Sequence, residues 1–162
     1  MDQPNKLFPM TPAQRDCLRA TFRKILPLSD AFGVQFYDHL FRINPPLREL
    51  FPVRLADQGS KLMHALSMMV EAAEHPQRLQ NVFAPMGERH LRYGVCAEHY
   101  DDVGAALLLT LRRRLGNEFT AEAEAAWTAA YGEMVDAMLS HQVAKMPVCA
   151  TSARQEFHQP VG

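Results

Sequence analysis

Turn-forming residues cut this chain into pieces of helix length, and no piece alternates polar and apolar residues as a strand would. Residues 11–14 read Thr-Pro-Ala-Gln, which combines a capping hydroxyl, an early proline and a glutamine three residues after the cap. That combination is typical of a helix start. Prolines at positions 27, 45 and 46 predict the ends of the first two helices. The chain is therefore predicted to be all-α.

The remaining helices follow from apolar periodicity and from glycines. Residues 56–73 carry an apolar stripe with the 3.6-residue period of a helix. We predict the other helices over residues 30–43, 78–91, 98–115 and 121–143. Pro85 is expected to interrupt the helix over 78–91, and Thr120 is expected to cap the helix over 121–143. The expected organisation is an N-terminal extension over 1–10, one helical domain over 11–145 and a flexible tail over 146–162.

Composition and charge exclude several classes of function. The net charge of −1 favours neither a nucleic-acid partner nor an anionic membrane. No signal peptide is evident, and no run approaches the ~18 apolar residues of a membrane span. Cys17, Cys96 and Cys149 are odd in number and widely spaced, which argues against a disulfide framework and favours a reducing, cytoplasmic setting.

The histidines do not identify a site by themselves. His39 stands among charged residues and His64 lies off the apolar stripe, so both are expected to face water. A zinc site built from His90, Cys96 and His99 is disfavoured because a fourth ligand and the usual paired spacing are missing. Nucleophile and phosphate-loop motifs are also missing. Chemistry alone therefore indicates only a helical domain with a core rich in aromatic residues and methionine.

The order of several short motifs indicates more. Residues 36–41 (FYDHLF), then Pro45 to Phe51, then residues 58–63 (QGSKLM) resemble the distal half of bacterial globins. Residues 89–95 (RHLRYGV) with His99 and Tyr100 resemble the proximal half, and residues 126–132 (AWTAAYG) resemble the start of the last helix. The resemblance is to single-domain haemoglobins related to flavohaemoglobins and runs from Thr11 to Lys145. It implies a globin fold, with helices packed around a haem pocket.

The resemblance also implies roles for individual residues. His90 matches the proximal ligand of the haem iron, and Leu62 matches the apolar residue over the iron. Tyr37 and Gln58 match the distal pair that hydrogen-bonds bound oxygen, and they would be the catalytic pair of a nitric oxide dioxygenase. The other implied haem contacts are Phe51, Lys61, Met86, Arg89, Arg92, Val95, Val103, Leu107 and Trp127, in which Lys61, Arg89 and Arg92 are the candidates for pairing the propionates.

One position departs from the family pattern on the proximal side. Tyr100 matches the tyrosine of a triad behind the proximal histidine, but Gln142 stands where a glutamate is expected. An amide accepts the same hydrogen bond without supplying charge, so we expect less imidazolate character at His90 than in enzymatic relatives.

The implied cofactor is haem b, bound without a covalent link because no Cys-x-x-Cys-His motif is present. The expected ligands are O2, NO and CO. Flavohaemoglobins carry a reductase, whereas this sequence has no dinucleotide fingerprint, so conversion of NO to nitrate would need an external reductase. The alternative functions are oxygen storage, transport or delivery, and gas sensing, all without turnover. A haem-free helical interaction domain is a further alternative.

Overall fold

The computed structural model describes residues 10–51 and 54–140, which form α-helices joined by short turns. The helices are α1 (Pro12–Ile25), α2 (Ser29–Ile43), α3 (Leu55–Glu74), α4 (Leu79–Arg92), α5 (Ala97–Leu115) and α6 (Ala121–Leu139). Short 3-10 segments cover Leu26–Leu28, Pro45–Leu50, Pro76–Arg78 and Gly116–Glu118. Within these ranges there is no β-strand, and the predicted all-α fold is confirmed.

Both predicted helix caps are present as hydrogen bonds. The Thr11 hydroxyl accepts from the Gln14 amide at 3.1 Å, and the Gln14 side chain accepts from the Thr11 amide at 3.0 Å. The Thr120 hydroxyl accepts from the amide of Ala123 at 3.2 Å. These bonds satisfy amides that have no partner inside the helix, so they fix where α1 and α6 begin.

The predicted interruption at Pro85 is wrong, because α4 runs through this residue as one helix. At Gly87, α4 lies so close to α6 that an added Cβ would meet the carbonyl oxygen of Met138 at 2.1 Å. We attribute the unbroken helix to this packing, which offsets the local cost of a proline. The predicted end of the last helix at residue 143 lies outside the described residues.

The core is formed where α2 crosses α3 and α5, and where α6 packs against α1 and α4. Trp127 of α6 is fully buried, and its indole nitrogen donates to the Thr21 hydroxyl of α1 at 2.8 Å. Met10, expected in the N-terminal extension, is also buried, and its carbonyl accepts from Arg15 at 2.7 Å. Met10 thus packs against the core of the helical domain. No helix among the described residues is both long and apolar enough to cross a membrane.

Two expectations about single residues are corrected. His39 does not face water but is 8% exposed, with its Nδ1 2.9 Å from the Thr110 hydroxyl of α5. Because that hydroxyl donates to the Ala106 carbonyl at 2.7 Å, it accepts from His39. Cys96 is disulfide-bonded while Cys17 carries a free thiol. Cysteines far apart in sequence can meet when the fold brings them together, so the odd number and wide spacing of the cysteines did not exclude a bond at Cys96.

Candidate haem site

The proximal histidine candidate, His90, lies in the last turn of α4. Its Nδ1 is 2.7 Å from the carbonyl oxygen of Met86, one helical turn earlier. A carbonyl can only accept, so Nδ1 carries the proton and the neutral ring keeps a free lone pair on Nε2. Burial lowers the pKa of His90, which favours the neutral ring, although the Met86 bond acts in the opposite direction. The side chain is thus prepared to act as a nitrogen ligand.

Tyr100 in the first turn of α5 lies beside His90. The two ring centroids are 6.4 Å apart, and the ring planes are inclined by 28°. Burial raises the pKa of Tyr100 to about 12. Its hydroxyl oxygen is buried and has no hydrogen-bond partner among residues 10–51 and 54–140. The main chain of Tyr100 is held from α6, because the Tyr131 hydroxyl donates to its carbonyl at 2.5 Å.

On the distal side, Tyr37 of α2 is buried in an aromatic cluster. Its ring centroid lies 5.0 Å from that of Phe36, 5.8 Å from Phe41 and 5.4 Å from Phe51. Its hydroxyl donates to the main-chain carbonyl of Gln58 at 3.2 Å. Burial raises the pKa of Tyr37 to about 12, so the phenol is protonated at neutral pH. The two residues expected to form the distal pair are therefore neighbours, joined through the backbone of Gln58.

This contact exists because α2 and α3 cross at two glycines. A Cβ on Gly33, one turn before Tyr37, would lie only 2.9 Å from the Cα of Gly59, the residue after Gln58. Real Cβ atoms do not approach backbone so closely, so only glycine at position 33 permits this separation of the helices. The crossing thereby brings the Gln58 carbonyl within reach of the phenol.

Five of the residues expected to line the haem share one property. They are only partly buried and pack on the edge of the core, namely Phe51, Leu62, Met86, Val95 and Val103. Apolar residues that are half covered suit the wall of a cleft that holds a flat apolar group. Together with the free imidazole nitrogen of His90, they fit a haem.

The other expected contacts divide into three groups. Leu107 is buried in the core of α5. Lys61, Arg89 and Arg92 are exposed, as charged partners of propionates at a cleft edge would be. Trp127 contacts Thr21 and Phe22 of α1, and its expected place in the haem pocket stays a prediction. Gln142 lies outside the described residues.

Comparison with known proteins identifies the family. The globin family model matches residues 34–138, which include both the distal and the proximal residues. The chain belongs to the globin family. The flavohemoprotein of Bordetella pertussis is 31% identical over 145 residues, covering 88% of this chain and 36% of that protein. The flavohemoproteins of Deinococcus radiodurans and Rhizobium meliloti are 30% and 28% identical, covering 80% and 78% of this chain and 33% and 32% of their own lengths. This globin thus spans about a third of the length of the curated relatives it matches.

Sequence reasoning missed the glycines that position both sides of the site in this globin. Gly33 sets the α2–α3 crossing against the backbone of Gly59, and Gly87 sets the contact of α4 with α6 one turn before His90. The available signal was a glycine inside a predicted helix, which costs ~1 kcal/mol relative to alanine and therefore calls for a packing reason. The backbone that each glycine contacts is not visible in the sequence.

Proposed function

We propose that this chain is a haem-b globin that binds O2 and other diatomic gases reversibly, with the haem held non-covalently. The observation that carries the proposal is the 2.7 Å bond from His90 to the Met86 carbonyl, which leaves Nε2 as a ready ligand. The names of the relatives indicate haem in those proteins, and the family match extends over the residues concerned.

When bound, the haem supplies an iron with one open position for a diatomic gas. The chain's own residues would hold the haem and the gas. His90 would supply one nitrogen to the iron, and the Met86 carbonyl keeps its ring in orientation. Tyr37 is a buried, protonated phenol that can donate to a partly negative ligand, and the Gln58 side chain is the second proposed donor. The half-buried Leu62 would exclude water from the gas.

Conversion of NO to nitrate is proposed as a second property of the same site. The relatives are flavohemoproteins, a name that joins a flavin to a haem, and this chain matches about a third of their length. The 162 residues contain no Gly-x-Gly-x-x-Gly sequence. We therefore propose that electrons for repeated turnover come from a reductase outside these residues. Oxygen storage, delivery or gas sensing without turnover is the alternative.

Replacing the proposed ligand tests the first proposal. His90→Gly should lose the Soret absorption of the purified protein, and added imidazole should restore it because a free ring can occupy the same position. His64→Ala is the matched control, since His64 is exposed on α3 and should leave the spectrum unchanged. A normal spectrum in His90→Gly without imidazole would refute the assignment.

A rapid-mixing experiment tests the NO reaction. The oxygenated protein is mixed with NO, and nitrate should form in a 1:1 ratio to haem. Continued nitrate formation on adding a reductase and NAD(P)H would support turnover. Formation of no nitrate in the single mixing would leave gas binding as the function and refute dioxygenase chemistry.

A further inference from the structure

The hydroxyl of Tyr37 already donates its one hydrogen bond to another acceptor. A phenol has one proton to donate, and here the Gln58 main-chain carbonyl accepts it at 3.2 Å. That carbonyl belongs to the backbone of α3 and cannot turn away as a side chain could. A gas ligand that is to receive a hydrogen bond from Tyr37 must therefore compete with the carbonyl.

The distance between α2 and α3 determines whether the Gln58 carbonyl is close enough to accept from Tyr37. Gly33 is four residues before Tyr37 on the same helix, and its Cα faces Gly59, which directly follows Gln58. An added Cβ at position 33 would be 2.9 Å from the Gly59 Cα, so α3 would have to move away. Movement of α3 carries the Gln58 carbonyl with it and lengthens a bond that, at 3.2 Å, is already longer than the usual O–H···O range of about 2.5–3.0 Å.

We propose that Gly33 is a positioning residue that sets gas selectivity, by holding the Gln58 carbonyl where it competes with the ligand for the Tyr37 proton. This inference rests on the proposed function. O2 held at the site carries partial negative charge and is a strong acceptor, whereas CO is nearly neutral and a weak one. The competition thus lowers the affinity for O2 and leaves the affinity for CO unchanged. The O2-to-CO affinity ratio is therefore lower by about the net free energy of one hydrogen bond.

The O2-to-CO affinity ratio of the haem-loaded protein measures this effect. Gly33→Ala should raise the ratio roughly threefold to tenfold, which corresponds to the net worth of one hydrogen bond. Gly59→Ala is the matched control, because its Cβ would lie 3.6 Å from the Gly33 Cα, an ordinary contact. It should leave the ratio unchanged. Because a steric change at the site could also alter the ratio, a second background is needed to isolate the contribution of the phenol.

The Tyr37→Phe background separates the phenol from other consequences of moving α3. In that background Gly33→Ala should leave the O2-to-CO ratio unchanged, because no proton is left to compete for. A ratio that rises equally in both backgrounds would overturn the proposal, as would an unchanged ratio in folded, haem-loaded Gly33→Ala.

Infrared spectroscopy of the CO form keeps the proposal testable even where Gly33→Ala does not fold. If the Gln58 carbonyl accepts the hydrogen bond of Tyr37 and the CO ligand does not, wild type and Tyr37→Phe should show the same C–O stretching frequency. A lower frequency in wild type would mean that the phenol already donates to the ligand, which overturns the proposal. Failure of the purified wild type to bind haem would instead refute the proposed function itself, so the two failures are distinguishable.

Discussion

Gly87→Ala tests how closely α4 packs against α6. The added Cβ would lie 2.1 Å from the Met138 carbonyl oxygen and 2.8 Å from both the Met138 carbonyl carbon and Cα. All three atoms are backbone, so no side chain can rotate to relieve the contact, and α4 must move by about 1 Å to reach the 3.0 Å that real Cβ atoms keep. Overpacking that forces backbone to shift costs typically about 1–3 kcal/mol, and a contact with three backbone atoms belongs at the upper end of that range. Since alanine recovers ~1 kcal/mol of helix propensity, we expect a net loss of about 2 kcal/mol.

The measurement is the free energy of unfolding from urea titration, together with haem retention read from the Soret band. Haem retention should fall because His90 is three residues beyond Gly87 and moves with the helix. Gly59→Ala is again the matched control. With its nearest contact at 3.6 Å, it should be neutral or stabilising by up to ~1 kcal/mol.

The result that would refute the reasoning is a Gly87→Ala protein as stable as Gly59→Ala. Equal stability would mean that α4 and α6 lie further apart than described or that α4 adjusts at little cost. Full stability combined with lost haem would point to a local effect on His90 alone.

Three further substitutions test other contacts. Thr21→Val removes the acceptor of the Trp127 indole and leaves a buried N–H unpaired, so unfolding free energy should fall by about 1–3 kcal/mol, measured by denaturant titration. Thr120→Ala removes an N-cap and should cost about 1 kcal/mol in the same assay, whereas Thr120→Ser should cost much less. Burial lowers the pKa of His39 in the folded state, so the folded protein takes up that proton less readily and stability should fall as pH drops below about 6.5. His39→Asn should reduce this slope, and an unchanged slope would contradict the assignment.

Features set by neighbouring residues were predictable from the sequence. The caps at Thr11 and Thr120 depend on residues three positions away, and both are present. The bond from His90 to Met86 is also local, since one helical turn separates them. The choice of His90 among seven histidines, however, came from the order of motifs along the chain and not from its own chemistry.

Features set by distant residues were not predictable in this way. Asp38 and Arg42 flank His39 and suggested a solvated face, but Thr110 of α5, 71 residues away, supplies its partner in the interior. Pro85 predicted a break from its local cost, while the contact of the same helix with α6 depends on Met138. In each case the deciding group lies on another helix, and the sequence gives no distance between helices.

The contact between Gly87 and Met138 also bears on how the protein is made. Translation proceeds at roughly 5–20 residues per second, so the 48 residues from His90 to Met138 take about 2–10 s to synthesise. During that interval α4 has been synthesised, but α6, against which it packs, has not. The helix that carries His90 therefore cannot take its final position until the last helix has emerged from the ribosome. If His90 holds the haem iron as proposed, secure capture of the haem is consequently a late event in the biogenesis of this globin.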